Sequence, residues 1–211
     1  MNWCLRHGLI EVSPVPPLRL RAQARARVLN DNELRTVWHR ADEYGFPYGR
    51  IVQFLILTGQ RRGEIAALRR VWIDGDTITF PPGFTKNKRE HSIPIGPLAT
   101  KMIAELPDLG TDLLFPARGS GERPFNGWSK SKRSFDRAID VTDYTLHDLR
   151  RTFTTRLAAL GTPIHVTEKI LNHVSGTVSG VAAIYNRHSY MDEMREVVAA
   201  YEGHLVKLIG G

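Results

Sequence analysis

Residues 144–152 read YTLHDLRRT, and the period that starts in this stretch and runs on to residue 160 sets how the whole chain is read. Leu146, Leu149, Phe153, Leu157 and Leu160 recur at three- and four-residue intervals, the spacing of a buried stripe on an α-helix. Thr145 is a good N-cap with Asp148 at N3, and Gly161 is a good C-cap, so the spacing predicts a helix over 146–160. His147, Arg150 and Arg151 fall on the flank beside the stripe, with His147 and Arg150 one turn apart and able to reach one point. A protonated imidazole and two guanidinium groups repel one another, so their convergence implies that an anion is meant to sit among them. A solvated basic face with Asp148 as partial counter-charge explains the same residues, and H-x-x-R alone does not choose between the two.

On the C-terminal side, Thr162-Pro163 opens a further helix over 163–172, and Met191, Met194, Val198, Tyr201, Leu205 and Leu208 draw an apolar stripe along a last one. On the N-terminal side, helices are expected over 128–139 and 99–106. Before them the period falls to two. VWIDGDTITF (71–80) reads as two short strands about an Asp-Gly turn and HSIPI (91–95) as a third, with FTKNKRE (84–90) as a hairpin tip loaded with cations. Earlier still come helices over 62–70 and 51–57, the latter ending at Gly59. The first follows a capping box of Asn30 and Glu33, with Leu34, Val37, Trp38 and Ala41 at helical spacing. The fold class is therefore mostly α with a small antiparallel β-sheet, α+β.

With 211 residues the chain can bury one sizeable domain. Its net charge of +7, carried by 22 Arg against 7 Lys, favours a polyanionic partner, because the guanidinium fork matches phosphate oxygens. Cys4 is the single cysteine, which removes intrachain disulfides and multi-cysteine metal sites and suits a reducing cytoplasm. No apolar run approaches the roughly 20 residues of a membrane span, and MNWCLRHGLI has no signal-peptide pattern. His147, His165, His173 and His188 lack the H-E-x-x-H or paired-carboxylate spacing of a metal site, so neither metal nor cofactor is expected. Residues 1–29 read as the tail of one helix, then a linker in which Pro14, Pro16 and Pro17 are followed by Arg19, Arg21, Arg25 and Arg27 and which need not pack. Two origins fit so short a segment before a linker: a removed N-terminal domain or a gene remnant.

A second basic cluster lies in LTGQRRGEIAAL (57–68), where Arg61 enters a helix at its positive end and Glu64 is placed to hold a neighbouring arginine or histidine. T-G-Q-R-x-G-E, a lysine on a β-hairpin, H-D-L-R-R-T, then L-N-H, then a tyrosine come one after another over residues 28–205. In that order the chain resembles the catalytic domain of the tyrosine recombinases, the phage-type integrases. The resemblance implies that Arg61 and Arg150 clamp the non-bridging oxygens of a DNA phosphate and that Lys86 protonates the leaving 5′-oxygen. It further implies that His147 shares the tyrosine proton, that His173 adds a hydrogen bond to the phosphate, and that Tyr185 attacks to give a 3′-phosphotyrosine. Glu64 and Arg151 stand as supporting residues. Tyr190 competes with Tyr185, which lies about a dozen residues past His173 as the family pattern has it. Lys88 and Arg89 compete with Lys86, which follows Thr85 at the strand end as the family lysine commonly does.

The implied function is site-specific integration or excision of a mobile element such as a prophage. Alternatives are a type IB topoisomerase-like enzyme and a DNA-binding remnant without turnover. The implied partners are double-stranded attachment-site DNA, three further copies in a homo-tetramer on paired sites, and accessory DNA-bending proteins, in the cytoplasm at the nucleoid. The implied organisation is a linker over 1–29, a catalytic domain over 30–190, and a helix over 191–211 that docks in trans and is loosely held in the isolated monomer. The chain departs from the family in lacking the helical domain that normally precedes the linker, and in carrying Asn172 where Gly usually precedes the histidine.

Overall fold

A computed structural model describes residues 7–9, 25–173 and 188–210. Helix α1 (Asp31–Tyr44) opens on the expected capping box: Asn30 Oδ1 accepts from Glu33 N and Glu33 Oε2 accepts from Asn30 N, both at 2.9 Å. Leu34, Val37, Trp38 and Ala41 are buried, as their spacing requires. Helix α2 (Tyr48–Thr58) is the core of the domain, with every residue but Arg50 buried. It stops at Gly59, where φ is +63° and a Cβ would lie 2.4 Å from the Phe153 ring. Glycine is required there both by the left-handed turn and by the close approach of a later helix.

Helix α3 (Arg62–Ala66) is shorter than the expected 62–70. Beyond it the backbone bonds elsewhere: Leu114 N donates to Leu68 O and Arg70 N donates to Asp112 O, both at 2.9 Å. A 3-10 turn (Arg70–Trp72) then leads into the antiparallel sheet β1 (Ile73–Asp74), β2 (Thr77–Phe80) and β3 (His91–Pro94), with Ile78 opposite Ile93. Helix α4 (Pro97–Ala104) comes next, and then a small ladder of β4 (Pro116–Ala117) and β5 (Ser120–Pro124) that no sequence period announces. Helices α5 (Trp128–Asp136), α6 (Leu146–Ala159), α7 (Ile164–Ile170) and α8 (Met191–Gly210) complete the chain. Gly161 stands just past α6 at φ +78°, and Pro163 is the N-cap of α7, one position earlier than expected. No helix among the described residues is long and apolar enough to cross a membrane.

Two packing expectations are corrected. The last helix is not loosely held: Met194, Val198, Tyr201, Leu205 and Leu208 are buried in the chain's own core, and Tyr201 Oη donates to Ile56 O at 2.9 Å. Buried Glu202 lies across the first turn of α4, accepting from Leu98 N at 2.9 Å and Ala99 N at 3.3 Å, where a carboxylate answers orphan amides and the positive helix end. The end of the expected linker also packs. Leu29 is buried and its N–H donates to Thr152 Oγ1 on α6 at 2.9 Å, while Arg25 Nε donates to Asp148 Oδ2 at 2.8 Å.

Candidate active site

The first turn of α6 sorts its charges by where each can be satisfied. Asp148 is fully buried and accepts from Thr145 N at 2.7 Å, Thr145 Oγ1 at 2.9 Å, Arg151 Nη1 at 2.6 Å and Arg25 Nε at 2.8 Å. Burial pushes its pKa up, but the bonds from Thr145, Arg25 and Arg151 together outweigh that and hold it below the usual carboxylate range. Arg151 thus serves Asp148, while His147 and Arg150 of the same turn lie close enough for the arginine's charge to act on the imidazole.

Arg150 is only 6% exposed, a costly place for a charge with no carboxylate partner among the described residues. Its Nη1 donates to Gly59 O at 2.9 Å and its Nη2 to Leu171 O at 2.6 Å, so it staples the end of α2 to the end of α7. Arg61 sits at the N-cap of α3, held by buried Glu64, which accepts from Arg61 N at 3.0 Å and Arg61 Nη1 at 2.9 Å. Burial, and then the charge of Arg61, lower the Arg150 pKa to about 10. His147 is also pushed below its ordinary value, by burial first and then by Arg151 and Arg150. It is therefore neutral at pH 7 and able to accept a proton.

The C-terminal end of α7 collects the remaining groups. Its orphan carbonyls are met from three sides: Ile170 O accepts from Gln60 Nε2 at 2.8 Å and from His91 Nε2 at 3.0 Å, and Leu171 O from Arg150. Asn172, at φ +48°, exchanges side-chain amide hydrogen bonds with Asn87 on the hairpin tip. Exposed His173 is next in the chain, its N–H donating to Glu168 O at 2.9 Å. Lys86, beside Asn87, is exposed, and its ammonium has no hydrogen-bond or ion-pair partner among the described residues.

The structure thus brings Arg61, Glu64, His147 and Arg150 into one electrostatic neighbourhood. It carries His173 on the segment that Arg150 holds, and ties the Lys86 loop to the residue before His173. Tyr185 lies outside the described residues. Its competitor Tyr190 is half-buried, its ring 5.0 Å from that of His165 and 4.6 Å from that of His188. Burial raises the hydroxyl pKa of Tyr48, Tyr144 and Tyr201 well above the usual range.

Sequence reasoning missed His91 and Gln60. His91 shares the inward face of β3 with Ile93, and a histidine on the apolar face of a strand was the available signal. Burial lowers its pKa to about 4, against the opposing hydrogen bond to Ile170 O. The neutral ring must therefore carry its proton on Nε2 to donate there. Gln60 stood within the quoted arginine motif, but nothing local reveals that its amide reaches across to Ile170 O.

Chemically, two guanidinium groups, a neutral imidazole and an exposed ammonium on a neighbouring loop can neutralise a phosphate, accept one proton and donate another. Residues 27–191 match the phage integrase family. The chain is 24% identical over 164 residues to the prophage integrase IntZ of Escherichia coli (strain K12), covering 76% of this chain and 40% of that one, so it spans less than half of that relative's length. Among solved structures it is similar to the catalytic domain of bacteriophage HP1 integrase, with a TM-score of 0.53, 24% identity, and coverage of 76% of this chain and 88% of that one. It is also similar to a lambda integrase tetramer bound to a Holliday junction, with a TM-score of 0.59, 16% identity, and coverage of 85% and 56%.

Proposed function

The chain belongs to the phage integrase family, and from that premise we propose that it is the catalytic domain of a site-specific tyrosine recombinase. In this reading it cleaves and rejoins DNA strands through a 3′-phosphotyrosine intermediate, and so integrates or excises a mobile element. The observation that carries the reading is the Arg61–Arg150 pair: two guanidinium groups, one buried with no ion-pair partner among the described residues, whose repulsion helps lower the Arg150 pKa to about 10. A phosphate between them relieves that repulsion, and relieves it most as negative charge grows on the non-bridging oxygens in the pentacoordinate transition state.

The remaining steps are set by what a phosphodiester resists. The Tyr185 hydroxyl attacks phosphorus, forming the Tyr–O–P bond as the bond from phosphorus to the 5′-oxygen breaks. The tyrosine proton passes to His147, whose lowered pKa keeps it neutral before the step. Lys86 gives its proton to the departing 5′-oxygen, and His173 donates a hydrogen bond to the phosphate. Religation reverses each transfer. The choice of Tyr185 is supported by the other tyrosines: Tyr48, Tyr144 and Tyr201 are buried with raised pKa values, Tyr44 packs edge-on against Tyr48, and Tyr190 packs against two histidine rings.

The partner in this reading is double-stranded attachment-site DNA, with a tetramer on paired sites like that of the lambda integrase bound to a Holliday junction, and with accessory DNA-bending proteins at the nucleoid of the cytoplasm. The domain in this reading includes the packed end of the expected linker, Leu29 among it, and continues through α8, which its core requires. The test uses a pool of nicked suicide duplexes with a randomised core, from which covalent adducts are recovered on denaturing gels. Wild type is expected to form an adduct, and Tyr185→Phe to form none while binding DNA as wild type does. An adduct with the Phe variant would transfer the nucleophile to Tyr190.

A further inference from the structure

We propose that the reciprocal amide pair between Asn87 and Asn172 is a clasp that positions Lys86 for its proton transfer, by fixing the hairpin tip to the active-site end of α7. The inference rests on the function proposed above. It starts from two side chains that are 85 positions apart in sequence and satisfy each other: Asn87 Nδ2 donates to Asn172 Oδ1, and Asn172 Nδ2 donates back to Asn87 Oδ1 at 3.2 Å.

Each end of the clasp is rigid in a different way. On the hairpin, Thr85 is buried and closes the loop, its Oγ1 donating to Arg89 O at 2.6 Å and accepting from Arg89 N at 3.1 Å. Arg89 N also donates to Asn87 Oδ1 at 3.3 Å, so the Asn87 side chain is oriented by its own loop before it reaches across. On the other side, Asn172 takes a left-handed backbone conformation at the end of a segment whose two preceding carbonyls are held by Gln60, His91 and Arg150. Asparagine tolerates that conformation better than most side chains, while glycine would satisfy it and offer no amide. Asparagine here therefore keeps the backbone that the position needs and adds a grip.

The consequence is geometric. Lys86 and His173 are the immediate neighbours of the two clasped residues, so the clasp fixes the distance between the proposed general acid and the proposed phosphate ligand. Lys86 itself is exposed, and its ammonium has no partner among the described residues, so its reach is set by its backbone. Asn87 and Asn172 touch neither DNA nor the reacting atoms in this account. They are positioning residues.

The test compares Asn87→Ala, Asn172→Gly and the double variant, as full chains, on the randomised suicide duplexes made with either an ordinary phosphodiester or a sulfur in place of the 5′-bridging oxygen. A thiolate leaves without protonation, so a defect confined to the placing of Lys86 disappears on the sulfur substrate. We expect each single variant to slow adduct formation roughly 10- to 100-fold on the oxygen substrate, the cost of misplacing a reacting group by about an ångström. Rates on the sulfur substrate should stay within a few-fold of wild type, and the double variant should be no worse than either single one. The ratio of the two rates is taken within each protein, so partial misfolding does not move it. Equal slowing on both substrates, or wild-type rates on both, would overturn the clasp while leaving the recombinase reading intact. A wild-type chain that forms no adduct on either substrate would overturn both.

Discussion

The Arg150 guanidinium is asked to hold three acceptors at once: Gly59 O, Leu171 O and, in the proposed reaction, a phosphate oxygen. Lysine carries the charge but cannot divide it along two fixed directions. Arg150→Lys is therefore expected to lose both the staple and the clamp, with adduct formation falling on the order of 10²- to 10³-fold, the usual cost of removing a donor aimed at a transition-state oxyanion. Gel-resolved adduct formation checks it, and a loss of only a few-fold would remove Arg150 from the phosphate. His91 gives a prediction about pH instead. Its folded pKa of about 4 lies below the ordinary 6.5, so unfolding takes up a proton at this residue in acid. By linkage it contributes stability that is fully present above pH 6.5 and is lost as pH falls from 6.5 through 4. Denaturant melts across that window should show the loss. His91→Gln, which keeps a donor near Ile170 O without a titrating group, should flatten it. An unchanged pH profile in the variant would mean that another group titrates.

Helix α8 is legible in the sequence as a helix, but its packing on its own core is not. Periodicity reveals that a stripe is apolar; it does not reveal what covers the stripe. Burying Met194, Val198, Tyr201, Leu205 and Leu208 at about 1.5–3 kcal/mol per side chain amounts to about 10 kcal/mol, within the whole stability typical of a domain. A chain ending at residue 190 is thus expected to be unfolded by circular dichroism, with no cooperative melt. A cooperative transition would show that the helix is dispensable in cis. Elsewhere, what could be read was what is local. The Asn30–Glu33 capping box, the Asp74-Gly75 turn and the strands about it need only neighbours in sequence, and all appear. Helix α3 is shorter than its pattern predicts because pairing of residues 68–70 with 112–114 overrides helical spacing, and two-residue β4 is too short to carry a period. The site divided along the same line. Arg61, His147 and Arg150 were readable as motifs, whereas His91, Gln60 and the Asn87–Asn172 pair acquire their roles only when separate elements meet at the end of α7.

The chain as a whole carries a net charge of +7, concentrated in arginine, yet it spans 40% of the IntZ relative. A domain that meets DNA by itself neutralises few phosphates, and its affinity comes mainly from the counterions that those contacts release. Duplex DNA of arbitrary sequence is therefore expected to bind in the non-specific range, with Kd roughly 10⁻⁴ to 10⁻⁶ M at physiological salt, and log K should fall linearly with log salt concentration. Fluorescence anisotropy over a salt series measures the slope. Arg61 bears on that slope directly, because its guanidinium is held in place by Glu64 yet stays partly exposed beside the buried Arg150. If it meets a phosphate, Arg61→Ala removes one contact and should reduce the slope by about 1, weakening all sequences alike. The same substitution leaves the buried Glu64 carboxylate without its ion-pair partner, so the melting temperature should fall whether or not Arg61 meets DNA. A cation kept only for the fold gives that same fall with the salt slope unchanged from wild type. The slope, read beside the melting temperature on one variant, therefore separates a cation kept for DNA from a cation kept for the protein.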